Sequence, residues 1–329
     1  MKRFVFALIS LFLGIILLFG LLKHIGWQEI KSTLSQISIL EILYLLFMGF
    51  VYSILGSLRW REILSSQGYK FSIKEIYERD LAASSITYLV PQIPFGAEVF
   101  KGYILNSKKK DSASLEKGLT GVFIDGIFEY ATQWTSITLG VISGIFILAL
   151  PFKNFQIVAF VLALSLIGFF IYNLFSRKES MIKMFFKVDE ENKVRLIEKE
   201  IMSFFNIKNP TFQKAFLFSF AAGLVKLFQY WTIVEFFGKS IPLSTALTIT
   251  GLSIIFMGAP VGADLGTLDF GSALLFKQLG LGEGVGVAFA LMVRLNNLTF
   301  GFLGVLLLIK LSLAELRHKI VEKIGKLFN

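Results

Sequence analysis

Cysteine is absent from all 329 residues, which excludes disulfides, zinc–thiolate sites and a thiol nucleophile. Histidine is almost absent, with only His24 and His318, both in polar flanks. A metal site built on several imidazoles is thereby excluded too. Charged residues make up only 17% of the chain, against about a quarter in a soluble domain. No Walker-type glycine loop occurs, so the sequence carries no ATP-driven motor. The glycines from Gly280 to Gly286 follow no strand and form no dinucleotide fingerprint. The longest polar stretch, Ser176–Pro210, has roughly 35 residues, too few for a soluble catalytic domain.

Apolar residues fill that space. They make up 55% of the chain, phenylalanine alone numbers 36, and the mean hydropathy is +0.70. A bilayer-spanning helix needs about 20 consecutive apolar residues. Phe4–Leu22, Leu40–Leu58, Gly118–Leu150, Phe155–Phe175, Thr211–Phe237 and Gly284–Ile309 each qualify. Phe4–Leu22 is too long for a signal-peptide core and reads as a retained first helix. Gly118–Leu150 exceeds one span and predicts a tilt or a bend near Gly140 and Gly144.

Two further stretches, 81–105 and 243–279, are apolar at both ends and broken in the middle. The first contains Pro91, Pro94, Gly96, Glu98 and Lys101; the second contains Gly258, Pro260, Gly262, Asp264, Gly266 and Asp269. Such backbone is tolerated at membrane depth only where protein or a water-filled cavity covers it. Basic clusters place the termini and the loops around Arg59–Arg79, Lys108–Lys117 and Arg177–Lys208 in the cytoplasm. The net charge of +10 then reflects topology and anionic lipid, not nucleic acid.

Tracing the chain under those constraints makes 81–105 a re-entrant hairpin from the cytoplasmic side. It makes 243–279 one from the outside. The predicted fold class is an all-α polytopic membrane protein, one domain over 1–329. It has six spanning helices plus two re-entrant broken-helix hairpins in an inverted repeat, with halves of about 1–150 and 151–329. Pro94-Phe95-Gly96-Ala97-Glu98 and Pro260-Val261-Gly262-Ala263-Asp264 share a Pro-x-Gly-Ala-acid pattern at corresponding points of the two halves. Inverted repeats whose broken helices meet at the midplane are a recurrent transporter plan.

Charges inside spanning segments are costly and therefore candidates for function. Glu98 and Lys101 are spaced to share a helical face and pair. Asp125 and Glu129 also share a face, and need a cation, a proton or an arginine. Arg294 lies well inside the last span and should meet a carboxylate: Asp264, Asp269 or Glu98. The plainer alternative is that these charges are internal ion pairs that orient helices. Lys226 is expected to snorkel, Glu235 lies near a span end, and Arg59 and Arg61 read as topology anchors or head-group contacts.

Pro94 through Leu105 resembles the Pro–Gly-rich, Gly-x-Glu-x-x-Arg segment of the lysylphosphatidylglycerol synthase transmembrane family. Ala259-Pro260-Val261-Gly262 through Gly266-Thr267-Leu268-Asp269 is similar to that family's second Pro-Gly-Gly and Gly-x-x-Glu segment, and Arg294 to the arginine of its final helix. The family includes the flippase domain of multiple-peptide-resistance proteins. Lys101 stands where arginine is common, Asp269 where glutamate is common, and Gly126 where arginine often follows the acid. No soluble aminoacyl-transferase segment accompanies these motifs, so the resemblance implies moving a lipid, not making one.

The resulting expectation is a flippase-like, plasma-membrane transporter of an anionic or glycosylated lipid, polyprenyl-phosphate-linked or aminoacylated lipids included. It would need no cofactor. Glu98, Lys101, Asp264, Asp269, Arg294, Pro94, Gly96, Pro260 and Gly262 would form the substrate site. Asp125 and Glu129 would couple a proton or cation, and a homo-oligomer is compatible with this plan. An intramembrane lipid-modifying transferase and a non-catalytic partner of a glycosyltransferase stay open as alternatives.

Overall fold

A computed structural model describes residues 25–89, 100–102, 112–148, 200–258 and 266–328, with Gly20 and Lys23. Among these residues the chain forms helices and no strand. In chain order they are α1 (Trp27–Leu34), α2 (Ile39–Ser66), α3 (Ile73–Leu89), α4 (Ser112–Ile147), α5 (Pro210–Phe236), α6 (Leu243–Met257), α7 (Thr267–Gln278) and α8 (Glu283–Phe328). The expected spans at Phe4–Leu22 and Phe155–Phe175 lie outside the described residues.

Local chemistry sets the helix starts. Before α2, the Ser38 N–H donates to Glu41 Oε2 at 2.7 Å, and the Glu41 N–H donates back to Ser38 Oγ at 3.3 Å. Ser72 and Glu75 repeat the same capping box before α3. Each box satisfies two of the backbone donors that a helix start leaves orphaned. Asn209 caps α5 through the Thr211 N–H, with Pro210 in the first turn, where its missing donor costs nothing. Because of the Ser72–Glu75 cap, α3 begins at Ile73 rather than at Leu81, so the helix that enters the 81–105 stretch is longer than the hydropathy suggests.

The second expected hairpin is described at its two flanks. α6 ends at Gly258 and α7 starts after Gly266, whose φ of 80° suits glycine. Among the described residues, three helices are long and apolar enough to cross a membrane: α2, α5 and the Glu283–Ser312 part of α8. α4 has 36 residues, about 54 Å of helix, well beyond a hydrocarbon core of about 30 Å.

Packing follows three close pairings: α2 with α5, α4 with α6, and α3 with α8. Small residues make them. A Cβ at Gly140 would stand 2.6 Å from the Leu247 carbonyl oxygen and 2.7 Å from the Gly251 Cα. Gly140 is therefore a point of backbone contact between α4 and α6. Gly304 of α8 meets Leu81 and Ser85 of α3 in the same way. In lipid, helix association gains little from the hydrophobic effect and relies on such close approach. The largest core joins α5 to α8, with Tyr230, Phe276 and Phe289 buried. Their rings lie 5.3 Å and 5.2 Å from one another through Phe289.

Candidate functional site

α2, α3 and α4 converge on a buried chain of alternating charges. Asp80 of α3 accepts from Ser57 Oγ of α2 at 2.8 Å. Lys101 Nζ lies 2.7 Å from Asp80 Oδ1 and 2.8 Å from Asp125 Oδ2. Arg59 Nε donates to the other Asp125 oxygen at 2.7 Å. The Arg59 Nη2 atom then lies 3.6 Å from Glu129 Oε2. Helical spacing explains α4's part: Asp125 and Glu129 share a face and turn it toward α2.

The exposures divide this cluster by task. Asp125 is 1% exposed and Arg59 and Lys101 are each 5% exposed, whereas the Glu129 side chain is 45% exposed. Asp125 is locked between two cations. Glu129 stands at the open end. The Lys101 ammonium also lies 4.7 Å from the Trp60 ring centroid, a cation–π contact on its remaining side. Arg59 is thus a buried, ion-paired charge and not the topology anchor that is one of its two expected roles. α2 continues to Ser66, which carries Arg59 inside the bundle instead of leaving it at a helix end.

A cavity of about 190 Å³ opens beside this cluster. Arg59, Asp80 and Glu129 line it on one side, and Lys226, Asn296 and Asn297 on the other. Lys226 lies 5.2 Å from the Tyr52 ring and 4.8 Å from the Tyr230 ring. It is held between aromatic faces and lines the cavity, and so does not snorkel. Asn296 Oδ1 is buried without a hydrogen-bond partner among the described residues, and it belongs to a cavity-lining side chain.

Of the sequence-predicted residues, the structure joins Lys101 to Asp125 and, through Arg59, to Glu129. It joins Arg294 to Asp269 at a second place. Glu98, Pro94, Gly96, Pro260, Gly262 and Asp264 lie outside the described residues, and so does the Glu98–Lys101 pair. Sequence reasoning misses Asp80 and Arg59 as members of the buried cluster. The available signal is an acid, Asp80, at the edge of an apolar stretch opposite an excess of basic residues.

A family model of the lysylphosphatidylglycerol synthase transmembrane region matches residues 6–304. The chain belongs to this family. A UPF0104 membrane protein of Methanocaldococcus jannaschii is 23% identical over 307 residues, covering 87% of this chain and 89% of the relative. No solved structure matches. This lysylphosphatidylglycerol synthase transmembrane-region chain is a membrane protein with apolar helices long enough to span a bilayer.

The second ion pair lies among the residues that carry the family likeness. Arg294 of α8 donates to both oxygens of Asp269, at 3.0 Å and 2.5 Å. This fork-on-carboxylate geometry is what arginine supplies and lysine does not. Asp269 is fully buried and also accepts the Gly266 N–H at 2.9 Å. One carboxylate therefore caps α7 and ties the end of the broken segment to α8.

Proposed function

We propose that this protein is a flippase-like lipid transporter whose small polar chamber receives a lipid headgroup at membrane depth. The observation that carries the reading is the 190 Å³ cavity lined by Arg59, Lys226 and Glu129 within apolar helices. Charged groups are expensive in such surroundings and mark substrate or ion pathways. The volume lies below the about 300–1,000 Å³ of sites that enclose a whole ligand. It suits a phosphate or a small polyol, with the hydrocarbon chains elsewhere. Lys226 and Arg59 favour an anionic group, and Asn296 Oδ1 offers an acceptor to a hydroxyl. Glu129, at the open end of the cluster, is the group placed to take up a coupling proton or cation.

The finer architecture belongs to the same proposal: six spans and two re-entrant hairpins, in a plasma membrane, with both termini cytoplasmic. Correspondence between halves supports an inverted repeat. The offset from Pro94 to Pro260 also relates Leu81 to Leu247 and Ser85 to Gly251. Gly304 packs on Leu81 and Ser85, and Gly140 on Leu247 and Gly251. Exchanging α2 with α5, α3 with α6 and α4 with α8 maps the three close pairings onto themselves. One residue further on, Gly56-Ser57-Leu58-Arg59 corresponds to Gly223-Leu224-Val225-Lys226, so the two halves each bring one cation to the chamber. Arg294 with Asp269, and Lys101 with Asp80 and Asp125, would hold the helices around it.

Purified protein in liposomes should move a fluorescent anionic phospholipid between leaflets faster than protein-free vesicles, and K226M should slow it. Equal rates with and without wild-type protein, across anionic and glycosylated lipids, would sink the transport reading.

A further inference from the structure

Next to the chamber lies a second, larger cavity of about 550 Å³. It is an apolar groove between α4 and α5, closed at its floor by Leu247 and Thr250 of α6. Its rim faces outward: Leu139 is 45%, Phe216 57% and Phe220 56% exposed. On α5 the rings of Phe212, Phe216 and Phe220 stack one above the next, 6.4 Å and 6.5 Å apart. They form one apolar wall of the groove. The groove-lining residues of α5 run from Phe212 to Leu227, about 22 Å along the helix. That exceeds one leaflet's share of a hydrocarbon core of about 30 Å.

The groove and the chamber meet. Thr132 of α4 lines both. On α5, Ala222 and Lys226 face the chamber, whereas Ser219, Gly223 and Leu227 face the groove. A Cβ at Gly223 would stand 3.2 Å from Thr132 Cγ2, so the wall between the two spaces is one glycine–threonine contact thick. Polar space on one side and hydrocarbon-lined space on the other match a lipid's two ends.

One polar atom is out of place in this apolar wall. Ser219 is 4% exposed, and its Oγ has no hydrogen-bond partner among the described residues. The α4 hydroxyls along the same groove are satisfied by their own helix: Thr132 donates to the Phe128 carbonyl, Thr135 to Ala131 and Ser136 to Thr132. Ser219 lies one turn from Gly223, at the junction with the chamber. A buried unpaired hydroxyl there is a donor waiting for an acceptor.

We propose that the α4–α5 groove seats one ester-linked hydrocarbon chain of the lipid whose headgroup enters the chamber, with Ser219 Oγ–H donating to the chain's ester carbonyl. This rests on the transport reading for the headgroup, but names its own ligand chemistry. It favours an ester-linked glycerophospholipid over a polyprenyl phosphate, which has no carbonyl at that point.

The test uses phosphatidylglycerol carrying a diazirine in one acyl chain, in vesicles containing the full-length protein. After photolysis, adducts should concentrate several-fold on Leu139, Phe216 and Phe220 relative to the outward face of α2 at Phe47. L139W, which fills the groove from its rim, should remove that excess. At subsaturating probe, the ester-linked lipid should be captured roughly two- to tenfold better than its ether-linked analogue, the worth of one hydrogen bond. S219A should erase the preference while leaving the fold intact. Adducts spread evenly over α2 and the groove would overturn the seat, and equal capture of ester and ether lipids would overturn the part given to Ser219. Lipid translocation is measured in the same vesicles. Translocation with even adducts sinks the groove and spares the transport reading; groove adducts without translocation do the reverse.

Discussion

Replacing Arg59 with alanine tests the buried cluster most directly. The guanidinium lies 2.7 Å from Asp125 and 3.6 Å from Glu129. Its removal leaves Asp80, Asp125 and Glu129 sharing the single ammonium of Lys101 within the cluster. Two of those groups, Asp125 and Lys101, are almost fully buried, so water screens them poorly. Breaking a buried pair by removing one partner costs about 3–5 kcal/mol, because the remaining charge is left uncompensated. For a chain of this size that is a fall on the order of 10 °C in Tm. Thermal unfolding in lipid nanodiscs measures it. The double variant R59A/D125A removes a positive and a negative charge together, and should melt above R59A, with a coupling of about 1 kcal/mol or more. R59K should recover only part of the loss, since an ammonium cannot bridge Asp125 and Glu129 with a fork. An R59A melting point within about 2 °C of wild type, or a double variant less stable than R59A, would refute the reasoning.

D269N should cost about 3–5 kcal/mol, since it leaves Arg294 facing an amide and weakens the cap on α7; nanodisc melting reads this too. G140L and G304L should each destabilise by about 1–3 kcal/mol or more through overpacking against a facing helix, whereas L306A, at a 47% exposed position, should be near neutral. K226M should lower lipid translocation with only a small fall in melting temperature, since it gives up the contacts to Tyr52 and Tyr230 at a partly buried position. S38A, which removes the Oγ that accepts the Glu41 N–H, should cost about 1 kcal/mol without altering translocation.

Much of the helix plan is legible along the chain because membrane depth imposes long apolar runs. Leu40–Leu58 and Thr211–Phe237 start within a residue or two of α2 and α5, where their caps lie close to the apolar edge. Legibility fails where polar caps and charged turns extend a helix past its apolar run, as Ile73–Asp80 does for α3 and Arg59–Ser66 for α2. The Asp269–Arg294 contact is foreseeable, since a mid-span arginine must find a carboxylate and Asp269 is one of three available. The pairing of Arg59 with Asp125 is not, because the apolar run stops one residue before Arg59 and hides the helix that continues past it.

Composition and hydropathy alone determine that this chain lives in a membrane, that it lacks thiol and imidazole site chemistry, and that two apolar stretches carry proline, glycine and charge in their middles. They also put carboxylates and cations inside apolar segments. They leave open which charge meets which, and whether a glycine bends a helix or brings two together. Only the packing of α2, α3 and α4 decides that Asp125 is locked by two cations while Glu129 faces an open chamber. Only the contact of α4 with α5 decides that a polar space and an apolar one share a single thin wall. Hydropathy is a property of each segment by itself, whereas the partners of a buried charge are set by helices far apart in the chain.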